Sequence, residues 1–385
     1  MKIVYIGTAS CSDSDFPLIR ALQLQGVDVY SYFYVNKYNS SAGLFDIQLK
    51  KKNSIISASK YEGLAKYEDY INLDKVFIIN HYYIFRHNWQ YWFRWLMWLK
   101  FYLHVKKQKG DILHITWPLA GALRILYKLK MKIVQTIHDP FPHSGQYSSK
   151  NEEIRIEAIN RADRLVLLST PQLDSFCNYY HVNKDKVLLN RMGEFDYLNL
   201  LKSSSENNRP YVLYIGQIQE HKGIDILLEA MIQTHLIYPN VKLIVAGKGD
   251  FPFDVSKYTN LDYIEFRNYY VKVDEMVDLL TNSLFAVCPY RDATQSGVVQ
   301  TAFSLEVPLI VTNVGDLPLS VQDRVTGLVV PPCDVKALSD AMNYLLGNPE
   351  QLVAYKKNIH NIWRKDQSWE PIAQKYIEEY TKLLS

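Results

Sequence analysis

A lysine close to two glycines stands at a position suited to phosphate binding. Gly216 follows the apolar run Tyr211–Ile215, Lys222 lies in the short loop after it, and a helical pattern begins near Gly223. A glycine lets the backbone approach a phosphate, and an adjacent ammonium neutralises the phosphate charge. The alternative is a plain strand–turn–helix unit with a lysine on its surface.

A second turn of this kind lies further along the chain. Residues 289–300 follow an apolar run and open a helical pattern near Ser296, with Gly297 next to it. The N–H groups at a helix N-terminus attract anions, and a glycine there permits close contact. Thr294 and Ser296 are also ordinary helix caps, so an N-capped helix without a ligand is the alternative. Two phosphate-type turns in the same half of the chain favour a phosphate-binding function over a purely structural one.

Two histidines and an aspartate follow an apolar run in the first half. His138, Asp139 and His143 lie in a proline-containing loop directly after residues 133–137. Polar side chains at the carboxyl end of a parallel strand are well placed to form one wall of a ligand site. The alternative is that His138 forms only local hydrogen bonds, which shape the loop.

Short apolar runs alternate with helical patterns along the whole chain, which predicts parallel strands covered by helices on both faces. In the first half the predicted strands are 3–7, 27–34, 76–79, 112–116, 133–137, 165–169 and 187–189, with helices at 16–25 and 154–161. In the second half the predicted strands are 211–215, 242–246, 263–266, 284–287, 309–312 and 327–330, with helices at 224–235, 272–281, 298–305 and 335–346.

A polar stretch at 202–210 is typical of a linker between two domains. The predicted fold class is therefore α/β, with two doubly wound parallel-sheet domains at 1–202 and 203–365. In such sheets ligands bind at the carboxyl ends of the strands. If the two domains face one another, the site is expected in the cleft between them.

The composition is that of an ordinary globular protein. The 385 residues are 48% hydrophobic, and 43 basic side chains against 40 acidic ones give a net charge of +3. This balance argues against a nucleic-acid-binding protein. The sequence shows no signal-peptide pattern, and charged residues interrupt its longest apolar segment, so no membrane span is expected. Its four cysteines lie far apart, and their spacing predicts no metal site.

An aromatic segment at 85–105 combines tryptophans with basic residues. It contains Trp89, Trp92, Trp95 and Trp98, four of the seven tryptophans, and arginines and lysines lie in it and after it. Tryptophan favours the headgroup level of a bilayer, and basic side chains favour anionic lipid. We therefore predict that these four tryptophans make peripheral contact with a membrane. A helix packed under the sheet of the first domain is the alternative.

The order of these motifs resembles the GT-B glycosyltransferases of family 4. The resemblance rests on Gly216 to Lys222-Gly223, on Gly247-Lys248-Gly249, on Pro289-Tyr290 to Ser296-Gly297, and on Gly327 to Pro331. It extends to the C-terminal helices at 366–385, which in that family cross back and complete the first domain. His138-Asp139 also resembles a histidine found there at the end of a first-domain strand.

The resemblance implies a retaining transfer of a sugar from a nucleotide-diphosphate donor to a hydroxyl of a glycan acceptor. The acceptor is expected to be lipid-linked, in cell-surface polysaccharide synthesis at the inner face of the cytoplasmic membrane. No metal and no other cofactor is expected. The implied roles are catalytic for Lys222, His138 and Asp139; acceptor or diphosphate contact for Gly7, Thr8 and His143; and donor binding for Gly216, Gln217, Lys222, Gly247, Arg267, Asn268, Tyr269, Gln295, Ser296, Gly297, Val298 and Thr301.

Four positions depart from the pattern of that family. Its two glutamates, eight positions apart, are replaced by Ala293 and Thr301, its usual arginine by Gln217, and a further glutamate by Leu319. Missing carboxylates would weaken contacts to the donor sugar and the ribose. Two other functions therefore stay open: a nucleotide-sugar epimerase on the same architecture, and a degenerate, non-catalytic subunit that binds nucleotide sugars.

Overall fold

The chain forms two compact units in this computed structural model. The first comprises residues 1–193 and 368–385, and the second comprises residues 194–367. The structure describes residues 1–81, 91–138, 140–141, 148–168, 172–202, 210–293 and 297–385, with only the backbone described at 91–95. Each unit is a parallel-sheet α/β structure, which confirms the predicted fold class.

The strands are β1 (Lys2–Thr8), β2 (Asp28–Asn36), β3 (Ser54–Ser57), β4 (Val76–His81), β5 (Ile112–Ile115), β6 (Lys132–Ile137), β7 (Arg164–Leu167), β8 (Val187–Leu189), β9 (Tyr211–Ile215), β10 (Lys242–Ala246), β11 (Ile264–Arg267), β12 (Phe285–Cys288), β13 (Leu309–Thr312) and β14 (Gly327–Val330). The helices are α1 (Ser12–Leu24), α2 (Tyr91–Lys107), α3 (Ser149–Arg161), α4 (Leu173–Tyr180), α5 (Ile224–His235), α6 (Ser256–Thr259), α7 (Val273–Thr281), α8 (Gly297–Ser304), α9 (Leu317–Ser320), α10 (Val335–Gly347), α11 (Pro349–Asn358) and α12 (Trp369–Leu384).

The sheet of the first unit has the order β3-β4-β2-β1-β5-β6-β7-β8 in the described part of the chain. The chain runs outward from β1 to β2 and β4, and then returns to place β5 on the other side of β1. This reversal is the topological switch point, where ligands of doubly wound sheets bind. β3 pairs antiparallel with β4 and was not predicted, because its sequence Ser-Ile-Ile-Ser is too short to give a clear pattern.

Buried polar groups hold α1 and the two central strands of the first unit together. The hydroxyl of Tyr5 donates to Asp15 at 2.7 Å, and the hydroxyl of Thr116 donates to the same carboxyl group at 3.1 Å. Burial raises the pKa of Asp15 well above its usual range. These bonds fix the ends of β1 and β5 at the switch point.

The C-terminal helix α12 belongs to the first unit. The hydroxyl of Tyr380 lies 2.6 Å from Nδ1 of His114, whose Nε2 lies 2.8 Å from the hydroxyl of Thr136. Arg164 also forms an ion pair with Glu379 at 2.5 Å. The last residues of the chain therefore complete the unit formed by the first.

The sheet of the second unit has the order β11-β10-β9-β12-β13-β14, with all pairs parallel. Its switch point lies between β9 and β12. The structure confirms the predicted bounds of β9, β10, β13, β14 and α5, and it moves those of β11, β12, α7, α8 and α10 by one residue. Their Val- and Ile-rich runs are buried on both faces, which made the pattern clear.

The units divide at Gly193 and Glu194, whereas the sequence suggested a boundary at 202 and 203. Residues 194–202 belong to the second unit. The backbone N–H of Phe195 donates to the hydroxyl of Ser304 at 2.8 Å, and Tyr197 and Leu198 are buried. Residues 203–209, which form most of the predicted linker, lie outside the described residues.

The prediction that Trp98 contacts a membrane is wrong. Its side chain is 7% exposed and packs in the core of the first unit with Met97 and Phe101. Its ring also stacks on Tyr34, with the centroids 6.2 Å apart. Trp89 lies outside the described residues, and the side chains of Trp92 and Trp95 are not described. The described helices include none long and apolar enough to cross a bilayer.

Candidate active site

Two glycines bring the ends of β9 and β10 into direct contact. The N–H of Gly216 donates to the carbonyl of Ala246 at 3.0 Å. A Cβ atom on Gly247 would lie 1.7 Å from the carbonyl oxygen of Gly216, and φ is 147° at Gly216 and 150° at Gly247. Only glycine adopts such angles without strain, so both residues are required by the backbone itself.

Lys222 lies at the switch point of the second unit. It ends the 3-10 turn Glu220–Lys222 after β9, and its Nζ lies 3.8 Å from the ring centroid of Tyr290, which follows β12. Burial lowers the pKa of Lys222, and no carboxylate among the described residues counters this effect. A partly buried ammonium without a carboxylate partner is suited to an anionic ligand.

Arg291 ties the loop of Lys222 to the loop after β12. Its guanidinium forms a bidentate ion pair with Asp225, with N···O distances of 2.8 and 2.6 Å. Its backbone N–H donates to the carbonyl of His221 at 2.8 Å. Sequence reasoning missed this pair, because Asp225 and Arg291 are 66 positions apart and each alone has the pattern of a surface charge.

The N-terminal end of α8 lies next to the glycine turn. A Cβ atom on Gly216 would lie 3.8 Å from Cγ2 of Val298, and a Cβ atom on Gly297 would meet no atom of the described residues within 4 Å. The start of this helix therefore borders open space beside Gly216. Gln295 and Ser296, also predicted to bind the donor, lie outside the described residues.

Thr301, which replaces a glutamate of the family pattern, turns its side chain into its own helix. It is 8% exposed, and its hydroxyl donates to the carbonyl of Gly297 at 2.7 Å. The hydroxyl proton is therefore already used within α8. Gln217, at the end of β9, is exposed, and its carbonyl accepts a hydrogen bond from Tyr214 at 2.8 Å.

Three residues predicted to bind the donor, Arg267, Asn268 and Tyr269, have polar contacts of their own. The side chain of Asn268 accepts from the N–H of Gly249 at 3.2 Å and donates to its carbonyl at 3.0 Å. Arg267 pairs with Glu265 at 2.7 Å, and the hydroxyl of Tyr269 donates to Glu275 at 2.6 Å. These contacts shape the ends of β10 and β11, and they leave Tyr269 46% exposed.

A cavity of about 570 Å³ lies at the switch point of the first unit. It brings together Gly7, Thr8 and His138, three of the residues predicted from the sequence. Asp139 and His143 lie outside the described residues. A Cβ atom on Gly7 would lie 2.4 Å from Asp15 and 2.7 Å from the ring of Phe33, so packing behind the strand requires this glycine.

The cavity also has walls that sequence reasoning did not assign. Trp98 and the half-exposed Trp117 supply aromatic surface, and Glu152 and Arg155 of α3 supply charge. Arg155 is held in place by the carbonyl of Pro140, to which Nη1 donates at 2.8 Å. The sequence around Ile154 and Arg155 predicted only a helix, because its pattern does not show which face of that helix lines a cavity.

The described residues contain no group of three or more His, Cys, Asp or Glu side chains that could hold a metal ion. At the Lys222 site, the ammonium and the N–H groups at the start of α8 are sources of positive charge. Because both flank the switch point of one sheet, this arrangement can bind and stabilise a diphosphate.

Two family models match separate parts of the chain. The model of the Glycosyl transferases group 1 matches residues 209–348, and that of Glycosyltransferase Family 4 matches residues 52–189. The first match lies within the unit that holds Lys222, and the second within the unit that holds the cavity. Together they cover the larger part of the chain.

Relatives of known sequence agree with these matches. The chain is 25% identical over 147 residues to an alpha-D-kanosaminyltransferase of Streptomyces kanamyceticus, 37% of this chain and 38% of that one. A glycogen synthase of Thermodesulfovibrio yellowstonii is likewise matched over only 38% of its length. An uncharacterized glycosyltransferase of Methanocaldococcus jannaschii is 24% identical over 311 residues, 71% of this chain and 75% of that one.

Solved structures share the architecture. Sucrose-phosphate synthase from Thermosynechococcus elongatus superposes with a TM-score of 0.66 at 19% identity, covering 100% of this chain and 99% of that one. HepE from Anabaena, solved in complex with UDP and glucose, gives 0.65 at 14% identity, covering 99% and 100%. At these identities the likeness establishes the fold.

Proposed function

This chain belongs to the GT-B glycosyltransferases of family 4, and from this membership we propose that it transfers a sugar from a nucleotide-diphosphate donor to a hydroxyl of a glycan acceptor. The observation that carries the proposal is the position of the Lys222 ammonium, 3.8 Å from the ring of Tyr290 across the switch point of the second unit. Both alternatives, an epimerase and a non-catalytic subunit, would also bind a nucleotide there, so catalysis needs its own test.

The donor diphosphate would bind at the strand ends of the second unit. Its charge would be met by Lys222 and by the N–H groups that begin α8 at Gly297, while Gly216 and Gly247 keep side chains out of the way. As the bond between the sugar and the diphosphate breaks, negative charge grows on the leaving oxygen. Donors that already point at that oxygen then lower the barrier, because no reorganisation is needed.

The acceptor would bind in the cavity of the first unit, where His138 and Thr8 border the space. Aromatic walls such as Trp117 are suited to the apolar face of a sugar, and the charged residues of α3 can accept or donate hydrogen bonds to hydroxyls. The transfer is proposed to retain the configuration of the sugar, as the family resemblance implies. It is also proposed to need no metal.

We further propose a lipid-linked acceptor, cell-surface polysaccharide synthesis, and peripheral contact with the inner face of the cytoplasmic membrane. The support comes from the outer side of α2 rather than from Trp98. Leu96 and Leu103 are 45% and 52% exposed, and Lys100 lies between them on the same side of the helix. Exposed leucines flanked by lysines are typical of helices that rest on anionic lipid.

A panel of nucleotide sugars tests the donor half directly. The purified full chain is melted with UDP-, ADP- and GDP-sugars, and a proper donor should raise the melting temperature by binding only the folded state. The donor found in this way is then incubated with water as acceptor. Slow release of nucleotide diphosphate, unchanged by EDTA, is the expected result.

The other outcomes decide between the alternatives. Conversion of the donor to a second nucleotide sugar without release of nucleotide would indicate an epimerase. Binding without any conversion, even when glycan acceptors are added, would indicate a non-catalytic subunit. Loss of activity on chelation, restored by magnesium or manganese, would overturn metal independence.

A further inference from the structure

Arg291 forms four hydrogen bonds that end on both sides of Lys222. Its Nη1 and Nη2 donate to the two carboxylate oxygens of Asp225 at 2.8 and 2.6 Å. Nη1 also donates to the carbonyl of Glu220 at 3.0 Å, and the backbone N–H donates to the carbonyl of His221 at 2.8 Å. Arg291, which follows β12, therefore holds the loop that follows β9 at positions on both sides of Lys222.

The turn that carries Lys222 has few restraints of its own. It is one turn of 3-10 helix, Glu220–Lys222, and the side chain of Gln219 at its start forms no capping hydrogen bond with it. Lysine is also among the side chains that lose most rotamer freedom when they become ordered. A restraint supplied from outside the turn therefore raises the share of molecules in which the ammonium has its observed position.

Gly223 forms a second close contact between the loop after β9 and the loop after β12. Gly223 has φ of 63°, and a Cβ atom on it would lie 2.0 Å from the carbonyl oxygen of Pro289. The backbone of the lysine loop thus packs directly on the residue before Tyr290. The Arg291 fork adds direction to this contact, because a bidentate guanidinium–carboxylate pair fixes orientation as well as distance.

We propose that Arg291 and Asp225 are positioning residues, which hold the loop of Lys222 so that its ammonium meets the donor diphosphate. This inference rests on the proposed function of the Lys222 site, and neither side chain needs to touch the donor. The pair is 31% and 30% exposed, and an ion pair that only stabilised the fold would not need the further bonds from Arg291 to the carbonyls of Glu220 and His221. The four hydrogen bonds of Arg291 are therefore better explained by a role in positioning Lys222 than by a role in stability.

A double-mutant cycle separates positioning from plain stabilisation. UDP, ADP and GDP are titrated calorimetrically into the full chain, and the tightest of the three is used with Arg291→Lys, Lys222→Ala and the double variant. Lysine keeps the charge of Arg291 but cannot grip both oxygens of Asp225. Arg291→Lys should weaken binding about tenfold in the wild-type background and less than about twofold in the Lys222→Ala background, since residues that act through one another are not additive.

Two further variants serve as the second measurement and the control. Asp225→Asn, which keeps the shape of the side chain, should weaken binding as Arg291→Lys does, while Asp225→Glu should restore part of the affinity. Asp340→Asn breaks another ion pair of the second unit, Lys336–Asp340 at 2.6 Å on α10, and should leave affinity unchanged. Melting temperatures identify any variant that fails to fold. If Arg291→Lys or Asp225→Asn fails to fold, the other of these two variants is compared with wild type.

The outcomes are distinguishable. If Lys222→Ala binds the nucleotide as wild type does, the proposed function of this site fails. If Lys222→Ala binds weakly but Arg291→Lys and Asp225→Asn bind normally, only the positioning role fails. An equal loss on Arg291→Lys in both backgrounds also overturns positioning, because the pair would then act without Lys222.

Discussion

The ammonium of Lys222 lies 3.8 Å from the centre of the Tyr290 ring, and these two residues follow β9 and β12, the strands on either side of the switch point. An aromatic face attracts a cation but leaves its hydrogen-bond donors available. The ring can therefore hold the ammonium without neutralising it. A diphosphate that enters the switch point would meet an ammonium that is already in position and whose charge is not neutralised by the ring.

Replacing Lys222 by alanine should nearly abolish sugar transfer while leaving the chain folded. Removal of one charge-stabilising group from a catalytic site commonly lowers the rate by about 10²–10³. The measurement is the release of nucleotide diphosphate from the donor, with circular dichroism and melting temperature as controls for folding. Near-normal turnover in a folded Lys222→Ala protein would mean that the diphosphate is bound elsewhere.

Replacing Gly297 by valine should destroy nucleotide binding without harming the fold. No atom of the described residues lies within 4 Å of a Cβ atom at this position, so they leave room for the new side chain. The valine would instead occupy the space in front of the helix N-terminus, where the diphosphate is expected. The measurement is nucleotide affinity by calorimetry beside the melting temperature.

Gly247→Ala is the matched contrast for this experiment. Its new Cβ would lie 1.7 Å from the carbonyl of Gly216, at a φ of 150°. Strain of this kind costs about 1–3 kcal/mol or more, so here the melting temperature should fall. Unchanged affinity in a folded Gly297→Val variant would show that the turn is only the start of a helix.

Membrane contact should depend on the outer leucines of α2. The full chain should sediment with vesicles of phosphatidylglycerol and phosphatidylcholine, and Leu96→Ser/Leu103→Ser should reduce the bound fraction. Each lysine near an anionic surface contributes about 1 kcal/mol, and salt screens this attraction over about 8–10 Å. Raising the salt concentration should therefore release the protein. If wild type ignores anionic vesicles at low salt, peripheral contact through α2 is refuted.

The stability of the first unit should fall in acid through His114. Burial lowers the pKa of this histidine to about 3, whereas an unfolded chain has a histidine pKa of about 6.5. The unfolded chain therefore binds the proton first as the pH falls. The contribution of His114 to stability is complete above about pH 6.5 and is lost towards pH 3, by up to about 1.4 kcal/mol per pH unit.

Comparison with His114→Gln isolates this effect. Asp15 acts in the opposite sense, because burial raises its pKa and protonation then favours the folded state. Urea unfolding of wild type and variant at pH 7, 5.5 and 4 gives the difference in free energy of unfolding at each pH. Wild type should lose its advantage as the pH falls. A difference that stays constant over this range would contradict the assignment.

The sequence predicted most of the fold and only part of the site. Strands such as β9 and β13 were found at their bounds because they are short apolar runs between clear turn residues. Lys222 and the glycines at 216 and 247 were found because phosphate-type turns are local patterns. Trp98 was misplaced, since a helix that is apolar on most sides has the same pattern in a core and at a membrane.

Contacts between residues that are far apart in the chain could not be predicted from the sequence. Asp225 and Arg291 each have the pattern of a solvated charge, and only the parallel pairing of β9 with β12 brings their loops together. Likewise, nothing in residues 268 or 301 shows that Asn268 binds the backbone of Gly249 or that Thr301 turns back to Gly297. Such side chains match a motif by type, while their hydrogen bonds are set by tertiary structure.

The return of α12 to the first unit has a consequence for synthesis on the ribosome. His114, Arg164 and Gly193 precede the second unit in the chain, but their partners Tyr380, Glu379 and Trp369 are translated only after that unit. Domains usually fold in the order of their emergence. Here the second unit, residues 194–367, can close first. The first unit cannot complete its packing around His114 until α12, which supplies Tyr380, has also left the exit tunnel.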